Sequence, residues 1–321
     1  MTITWDASEQ DASHFYLQVS PMVCNFVENL HAMNTHHIIR YIIAAAAALG
    51  VSGAASAARD YRYHCGEDTV FAQKAITELS ATENLGKRIV AAAHMLEGIP
   101  LAASVENDSV GTLMVNFHSF DNLDFITSVM ALARSAGMQG ADWRTYASML
   151  ENVGRMKGED KGFASKLKYG SQWIVDNIYR GNIKDMTEYF EGSTFKTKTL
   201  DHFTRNRDLY PALADSATYE EQRMVEMGFY SHKIPHVKKQ TINNRNFSEL
   251  LKDGDIIMLL PKEPDYDLYD VGVVEIKEDG PHLIHLSREA GKVTADEYPL
   301  SRLFKLESQH FYGFRFLRPE E

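Results

Sequence analysis

An aspartate and a histidine are spaced so that a β-hairpin would bring them together. Apolar runs at 270–276 and 282–287 flank the turn sequence Glu278-Asp279-Gly280, a pattern typical of two antiparallel strands. Folding about this turn brings Asp270, which opens the first strand, close to His285 in the second. A carboxylate beside an imidazole can orient the ring and exchange a proton with it. The pair is therefore a candidate site.

The cysteines offer less chemistry. The chain has two, Cys24 and Cys65, and no CxxC or Cys/His cluster, which argues against structural zinc. Cys65 precedes the first helical pattern and has only His64 as a neighbouring base. We interpret it as a buried or idle thiol rather than a nucleophile.

An acidic cluster precedes the second strand. Glu263, Asp265, Asp267 and Asp270 could supply carboxylate oxygens to a cation. Their spacing matches no cation-binding loop, so we prefer to interpret them as a solvated acidic turn. We expect neither a metal nor a cofactor.

Helical patterns come first in the chain and strands come last. Apolar residues recur at helical spacing in 67–97, 120–136, 142–180 and 218–230. Short apolar runs at 254–260, 270–276, 282–287 and 311–316 predict strands. This order predicts an α+β fold. Because no linker-like stretch is present, we expect one domain over 58–321.

The charge balance narrows the possible partners. Formal net charge is -11 and the pI is about 5.6, with 44% hydrophobic residues. An acidic surface repels phosphate backbones, so we expect no nucleic-acid partner.

Residues 33–57 are typical of a secretory signal peptide. Met33 opens a polar segment with Arg40, an apolar run follows at 42–51, and Ala55-Ser56-Ala57 forms an A-x-A cleavage pattern. We expect 1–32 to be upstream sequence, the mature chain to begin near Ala58, and the protein to be periplasmic or secreted. A retained signal anchor and a buried Ala-rich helix are the alternatives. The apolar run is short for a membrane span, so we expect no stable insertion after cleavage.

Several phrases over residues 84–318 carry a family resemblance. They occur at Leu113–Asp121, Val129–Arg134, Ser165–Tyr169 with Trp173, Leu209–Leu213, Gly254–Ile257, Val271–Val273 and His282–His285. Together they resemble the bacterial N-acetylmuramoyl-L-alanine amidase-like family, a relative of the NlpC-type, papain-like cell-wall peptidases. The resemblance implies an NlpC-like fold, with N-terminal helices packed on a C-terminal antiparallel sheet. It also implies a peptidoglycan or peptide ligand, with Asp121, Tyr169 and Trp173 as substrate-binding residues.

The sequence departs from that family where its chemistry lies. The resemblance implies a thiolate at a helix N-terminus, a histidine opening a strand and a third polar group ending the next strand. This chain has Asn122 at the first position and Asp270 at the second, and keeps only His285. The family phrase Arg-Leu-His-Tyr is also replaced, by Lys166-Leu167-Lys168-Tyr169. The thiol mechanism is therefore not supported.

Purely structural roles are the alternative explanation for Asn122, Asp270 and His285. Asn122 is then a helix N-cap, Asp270 solvates a strand start, and His285 is a partly buried histidine with its hydrogen bonds satisfied.

Three functional hypotheses follow. The first is a secreted pseudoenzyme, inactive as a cysteine hydrolase, that binds peptidoglycan fragments or peptides. The second is an amide hydrolase that uses Asp270 and His285 with a water molecule. The third is a structural or partner-binding protein of the cell envelope.

Overall fold

The first five α-helices of the described residues precede the main sheet, as the apolar periodicity predicts, and three later helices fall among its first strands. The computed structural model describes residues 61–63, 66–82, 84–102, 113–157, 162–243, 245–302 and 310–321. The α-helices of this part are α1 Gly66–Leu79, α2 Leu85–Met95, α3 Asn122–Ala136, α4 Trp143–Gly154, α5 Gly170–Tyr179, α6 His202–Arg205, α7 Ser216–Met227 and α8 Arg245–Leu250. The strands are β1 Tyr61–Tyr63, β2 Leu113–Val115, β3 Ile183–Asp185, β4 Ser193–Lys198, β5 His232–Lys238, β6 Ile256–Pro261, β7 Asp270–Lys277, β8 Gly280–Ser287, β9 Lys292–Ala295 and β10 Phe311–Pro319.

Helix α3 is the central helix of the larger apolar cluster. Phe125, Ile126, Val129 and Met130 are fully buried, and buried positions occur all around the helix. A helix that is apolar on several faces is stable only when other elements cover it. Residues of α1, α2, α4 and the sheet share its cluster.

Most strands join one antiparallel sheet. Its order is β4-β5-β10-β6-β7-β8-β9, and β3 also pairs with β10. Strands β6, β7 and β8 form the predicted consecutive antiparallel run, with Gly272 opposite His285. Every residue of β6 is buried, which explains its unbroken apolar sequence. The α+β class is confirmed, but the predicted order holds only in part, because β3, β4 and β5 of this sheet are interspersed with α6, α7 and α8.

The sheet has two buried faces. Val271, Val273 and Ile284 belong to the cluster that contains α3. Leu283 and Val274 belong to a second cluster, with Phe311, Phe314 and Phe316 of β10. Because side chains alternate along a strand, neighbouring positions of β7 and β8 serve different clusters.

Contacts between residues group Asp60–Glu321 into one compact unit. The signal-peptide pattern, Cys24 and Cys65 lie outside the described residues. Within the part of the chain that the structure describes, no helix is long and apolar enough to cross a membrane.

Candidate functional site

The N-terminus of α3 lies against the start of β7. Asp121 is the N-cap, and its side chain accepts a hydrogen bond from the Asp124 backbone N–H at 2.7 Å. The prediction that Asn122 caps this helix is therefore wrong, because Asn122 is its first residue. The Asn122 Nδ2 donates instead to the carbonyl of Tyr269 at 3.0 Å, next to Asp270. The amide thus ties the helix to the strand.

Asp270 and His285 form a buried pair, as the hairpin register predicts. The Nδ1 of His285 lies 2.5 Å from the Oδ2 of Asp270, and its Nε2 lies 3.4 Å from Asp296. Burial alone would lower the pKa of His285, but the Asp270 and Asp296 carboxylates raise it well above its usual value. The imidazole is therefore held as a cation. Asp270 does not solvate the strand start, because only 2% of it is exposed.

This pair lies on the sheet face away from α3. Leu283 shares a face with His285, and it packs in the second apolar cluster. A Cβ added at Gly272 would approach both Leu283 and His285, so all three positions lie together. Asn122 and Asp270 are neighbours through the Tyr269 backbone, but the Asp270 side chain turns to His285 on the other face.

Two cavities lie at the start of α3. The large cavity has a volume of about 350 Å³ and the small cavity about 180 Å³. They share the wall residues Leu101, Asp121, Lys166 and Arg288. Neither Asp270 nor His285 lines either cavity, and the described lining residues include no Cys and no His.

A lysine forms part of the shared wall. The Nζ of Lys166 lies 2.9 Å from the Oδ1 of Asp124 and 3.6 Å from the Oδ2 of Asp121. Both carboxylates belong to the first turn of α3 and its cap. The ion pairs therefore position Lys166 where the two cavities meet.

A second lysine lies beside the small cavity. Lys168 is buried, and its Nζ donates to the carbonyls of Phe163 and Lys166 and to the side chain of Gln222. The ammonium lies 4.0 Å from the centroid of the Phe163 ring, a cation–π distance. The aromatic side chains of Phe203 and Tyr266 also line the small cavity.

The structure separates the three expected substrate-binding residues. Asp121 lines both cavities. Tyr169 and Trp173 are fully buried and line neither cavity. The Tyr169 hydroxyl donates to Glu226 at 2.7 Å, and the Trp173 Nε1 donates to Thr127 at 3.1 Å. Burial raises the pKa of the Tyr169 hydroxyl most, and the charge of the nearby Glu226 carboxylate raises it further. Their substrate contacts remain a prediction.

The acidic cluster before β7 is dispersed among separate partners. Asp267 accepts hydrogen bonds from the backbone N–H groups of Gly170 and Ser171, while Asp265 lies 3.2 Å from His202. Asp267 and Asp270 are buried, so the solvated-turn interpretation is wrong for both. Within the described residues, no group of three or more His, Cys, Asp or Glu is arranged to hold a metal.

Sequence reasoning missed Arg288. Its side chain is exposed, lines both cavities and donates from Nε to the Tyr269 carbonyl at 3.1 Å. Its guanidinium carbon lies 5.1 Å from the centroid of the Tyr269 ring. The available signal was its position one residue after β8, three residues beyond His285.

Comparisons with known proteins agree with the fold. The model of a family described as AmiA-like, N-acetylmuramoyl-L-alanine amidase-like, matches residues 94–309. An N-acetylmuramoyl-L-alanine amidase structure from Bacteroides uniformis is similar at TM-score 0.65 and 21% identity, covering 74% of this chain and 99% of that one. No curated protein matches the chain.

Two further solved structures are similar. A putative xylanase from Bacteroides fragilis has TM-score 0.62 and 24% identity, covering 71% of this chain and 99% of that one. Protein LPG0564 from Legionella pneumophila has TM-score 0.61 and 12% identity, covering 79% of this chain and 95% of that one. At these identities the likeness shows the fold alone. A closer relation to the papain-like NlpC fold stays a prediction.

Proposed function

Because the chain belongs to the N-acetylmuramoyl-L-alanine amidase-like family, we propose that it is a cell-envelope protein that binds peptidoglycan fragments or related peptides without hydrolysing them. One observation carries the proposal. At the N-terminus of α3, where a helix dipole would stabilise a thiolate, Asn122 presents an amide bonded to the Tyr269 carbonyl.

The chemistry at this position argues for binding without hydrolysis. An uncharged amide is no useful nucleophile toward a carbonyl at neutral pH. A histidine base within hydrogen-bond reach would also be needed, and the described lining of the cavities includes none. What the described residues do form at this position is a pair of cavities that could hold a ligand.

The large cavity supports ligand binding. Its lining combines apolar side chains such as Leu113 and Leu150 with polar ones such as Asn116 and Ser128. Ligand sites are typically concave, largely apolar and supplied with a few convergent polar groups. The volume of about 350 Å³ is within the usual range for a small-molecule site. A cleft of this kind weighs against a purely structural envelope protein.

Hydrolysis by Asp270 and His285 is the second candidate. Their hydrogen bond of 2.5 Å orients the ring, as a general base requires, but a ring held as a cation has no lone pair free to accept a proton. Their exposed fractions of 2% and 1% also oppose hydrolysis, and both line neither cavity. A substrate in either cavity would not meet them, so we place this candidate second.

Location is part of the same proposal. We propose export to the periplasm or the medium, directed by the signal-peptide pattern at 33–57. Peptidoglycan fragments occur in that compartment.

Calorimetric titration of the protein with purified muropeptides tests the binding. Ser119 lines the large cavity and is only partly buried, so Ser119→Trp fills space there without disturbing the core. We expect saturable binding by the wild-type protein and at least about tenfold weaker binding by the variant. Ser216→Trp, at an exposed position that lines neither cavity, is the matched control. Equal affinity of wild type and Ser119→Trp, or no binding at all, would refute the proposal.

A further inference from the structure

The small cavity carries the opposite charge to the molecule as a whole. The protein has a formal net charge of -11. Lys166, Lys168 and Arg288 line the small cavity, while Asp121 is the sole carboxylate among its described lining residues. Cationic clefts in an acidic protein concentrate anionic ligands. The charge of the small cavity therefore favours a negatively charged group.

Arg288 has the geometry to bind such a group. Its Nε donates to the Tyr269 carbonyl, and its guanidinium carbon lies 5.1 Å from the centroid of the Tyr269 ring, so two contacts with one residue hold the side chain. Among the described residues, no carboxylate lies within ion-pair distance of Arg288. A guanidinium held in this way can donate two parallel N–H bonds to a carboxylate.

The two lysines are fixed beside it. Lys166 is held by the Asp124 and Asp121 carboxylates, and Lys168 by the carbonyl groups around it. Fixed cations lose little side-chain entropy when a ligand arrives. Lys166 shares its positive charge with these two carboxylates, and Lys168 adds a second positive charge in a defined place.

The remaining wall strengthens electrostatic attraction. Phe163, Phe203 and Tyr266 surround the lysine end of the cavity. Aromatic walls exclude water and lower the local dielectric constant, so a charge–charge contact is stronger there than on an open surface. The volume of about 180 Å³ suits a small group at the end of a longer ligand.

We propose that the small cavity binds a carboxylate group of a peptide ligand, with Arg288 as its direct partner and Lys166 and Lys168 as supporting charges. The peptide nature of the ligand rests on the proposed function. The larger part of the ligand then extends across the shared wall into the large cavity.

Paired ligands that differ only in their carboxylates test the proposal. The first pair is N-acetylmuramoyl-L-alanyl-D-glutamate and the same molecule with both glutamate carboxylates amidated. The second pair is N-acetyl-trialanine and its C-terminal amide, which carry no sugar. We expect the acid of each pair to bind the full chain about tenfold more tightly than the amide, as is typical of one charge-assisted bidentate contact.

Substitution of the arginine should abolish this preference. In Arg288→Gln we expect acid and amide to bind within about twofold of each other, while Arg288→Lys keeps part of the preference. Arg302→Gln is the matched control, because Arg302 is also exposed and also lies over a tyrosine ring but lines neither cavity. It should retain the full preference.

The outcomes separate this inference from the proposed function. Equal binding of acid and amide by the wild type, or an unchanged preference in Arg288→Gln, would overturn the carboxylate site. Preference for the trialanine acid without binding of either muropeptide would support the carboxylate site and overturn the peptidoglycan ligand. No binding of any probe would overturn both. Displacement by inorganic phosphate as effective as that by acetate would show a general anion site and overturn the assignment to carboxylate.

Discussion

At the scale of single residues, the Asp270–His285 pair is better explained by structure than by catalysis. A buried imidazolium with carboxylates near both ring nitrogens is an electrostatic cross-link between β7, β8 and Asp296, beyond the end of β9. Such a pair contributes little if both partners are removed together, but the loss of one partner leaves an uncompensated buried charge. Removal of one partner should therefore lower the free energy of unfolding strongly, by an amount that depends on pH.

Asp270→Asn is expected to lower the free energy of unfolding by about 3–5 kcal/mol, because His285 loses its closest counter-charge while buried. Urea denaturation monitored by circular dichroism measures the change. Asp279→Asn is the control, since Asp279 also pairs with a histidine, His282, but its own side chain is exposed, so its loss should change stability little. A change as small for Asp270→Asn as for the control would contradict this assignment.

The pH dependence follows from the direction of the shift. Because the folded state raises the pKa of His285 above 6.5, the folded protein keeps a proton that the unfolded chain loses. The stabilisation is full below pH 6.5 and is lost as the pH rises through the folded pKa. Burial lowers the pKa of Lys198 to about 8. Above that pH this residue therefore makes the stability of the fold rise with pH, whereas His285 makes it fall. The test therefore belongs between pH 6.5 and 8, where wild-type stability should fall more steeply with pH than that of Asp270→Asn. Parallel slopes would contradict the account.

The residue types at the family's three catalytic positions could be read from the sequence. Whether each side chain points toward α3 or away from it could not. Alternation predicts that His285 shares a face with Leu283, and the structure confirms it. Which face meets α3 depends on how the helices pack, and no local pattern records that. Arg288 was missed for a similar reason, because an exposed arginine after a strand has no distinctive spacing.

At the scale of elements, the loop from β6 to β7 supports the start of α5. The N-cap position of α5, Tyr169, makes no side-chain cap bond, and Asp267 accepts from Gly170 and Ser171 in its place. A carboxylate at a helix N-terminus satisfies unpaired N–H groups and complements the helix dipole. This contact joins elements that are distant in sequence.

Asp267→Ala is therefore expected to lower the free energy of unfolding by about 2 kcal/mol, since two buried N–H groups lose their acceptor. Thermal or urea unfolding provides the measurement. Asp142→Ala removes an ordinary capping residue, that of α4, and should cost about 1 kcal/mol. A smaller loss for Asp267→Ala than for Asp142→Ala would show that the distant cap is unimportant.

The strands that sequence reasoning missed lack the usual alternating apolar pattern. Strand β5 contains Pro235, a residue that argues against a strand, and its pairing with β4 and β10 is visible only in three dimensions. Strand β4 is an edge strand with a largely polar sequence. Strands β6 to β8 were predictable because burial on both faces demands continuous apolar runs.

At the scale of the whole molecule, the proposed location and the proposed ligand must agree. The pattern at 33–57 predicts export, and a peptidoglycan ligand requires it. Expression of the full chain in a bacterial host, followed by fractionation and N-terminal sequencing, tests this prediction. We expect protein outside the cytoplasm with a mature N-terminus near Ala58. Protein that stays in the cytoplasm with Met1 or Met33 intact would contradict it.

The central claim is that the family cleft binds its ligand without cleaving it. The most direct measurement is a muropeptide incubation at saturating protein, followed over time by mass spectrometry, with binding measured on the same sample. We predict a bound muropeptide whose mass is unchanged after prolonged incubation, in the wild type and in Cys65→Ser alike. Release of the peptide from the sugar, or cleavage within the peptide, would contradict the claim. If Asp270→Asn abolished that cleavage in protein shown to be folded, the hydrolase hypothesis would stand. If Cys65→Ser did so, Cys65 would be the nucleophile.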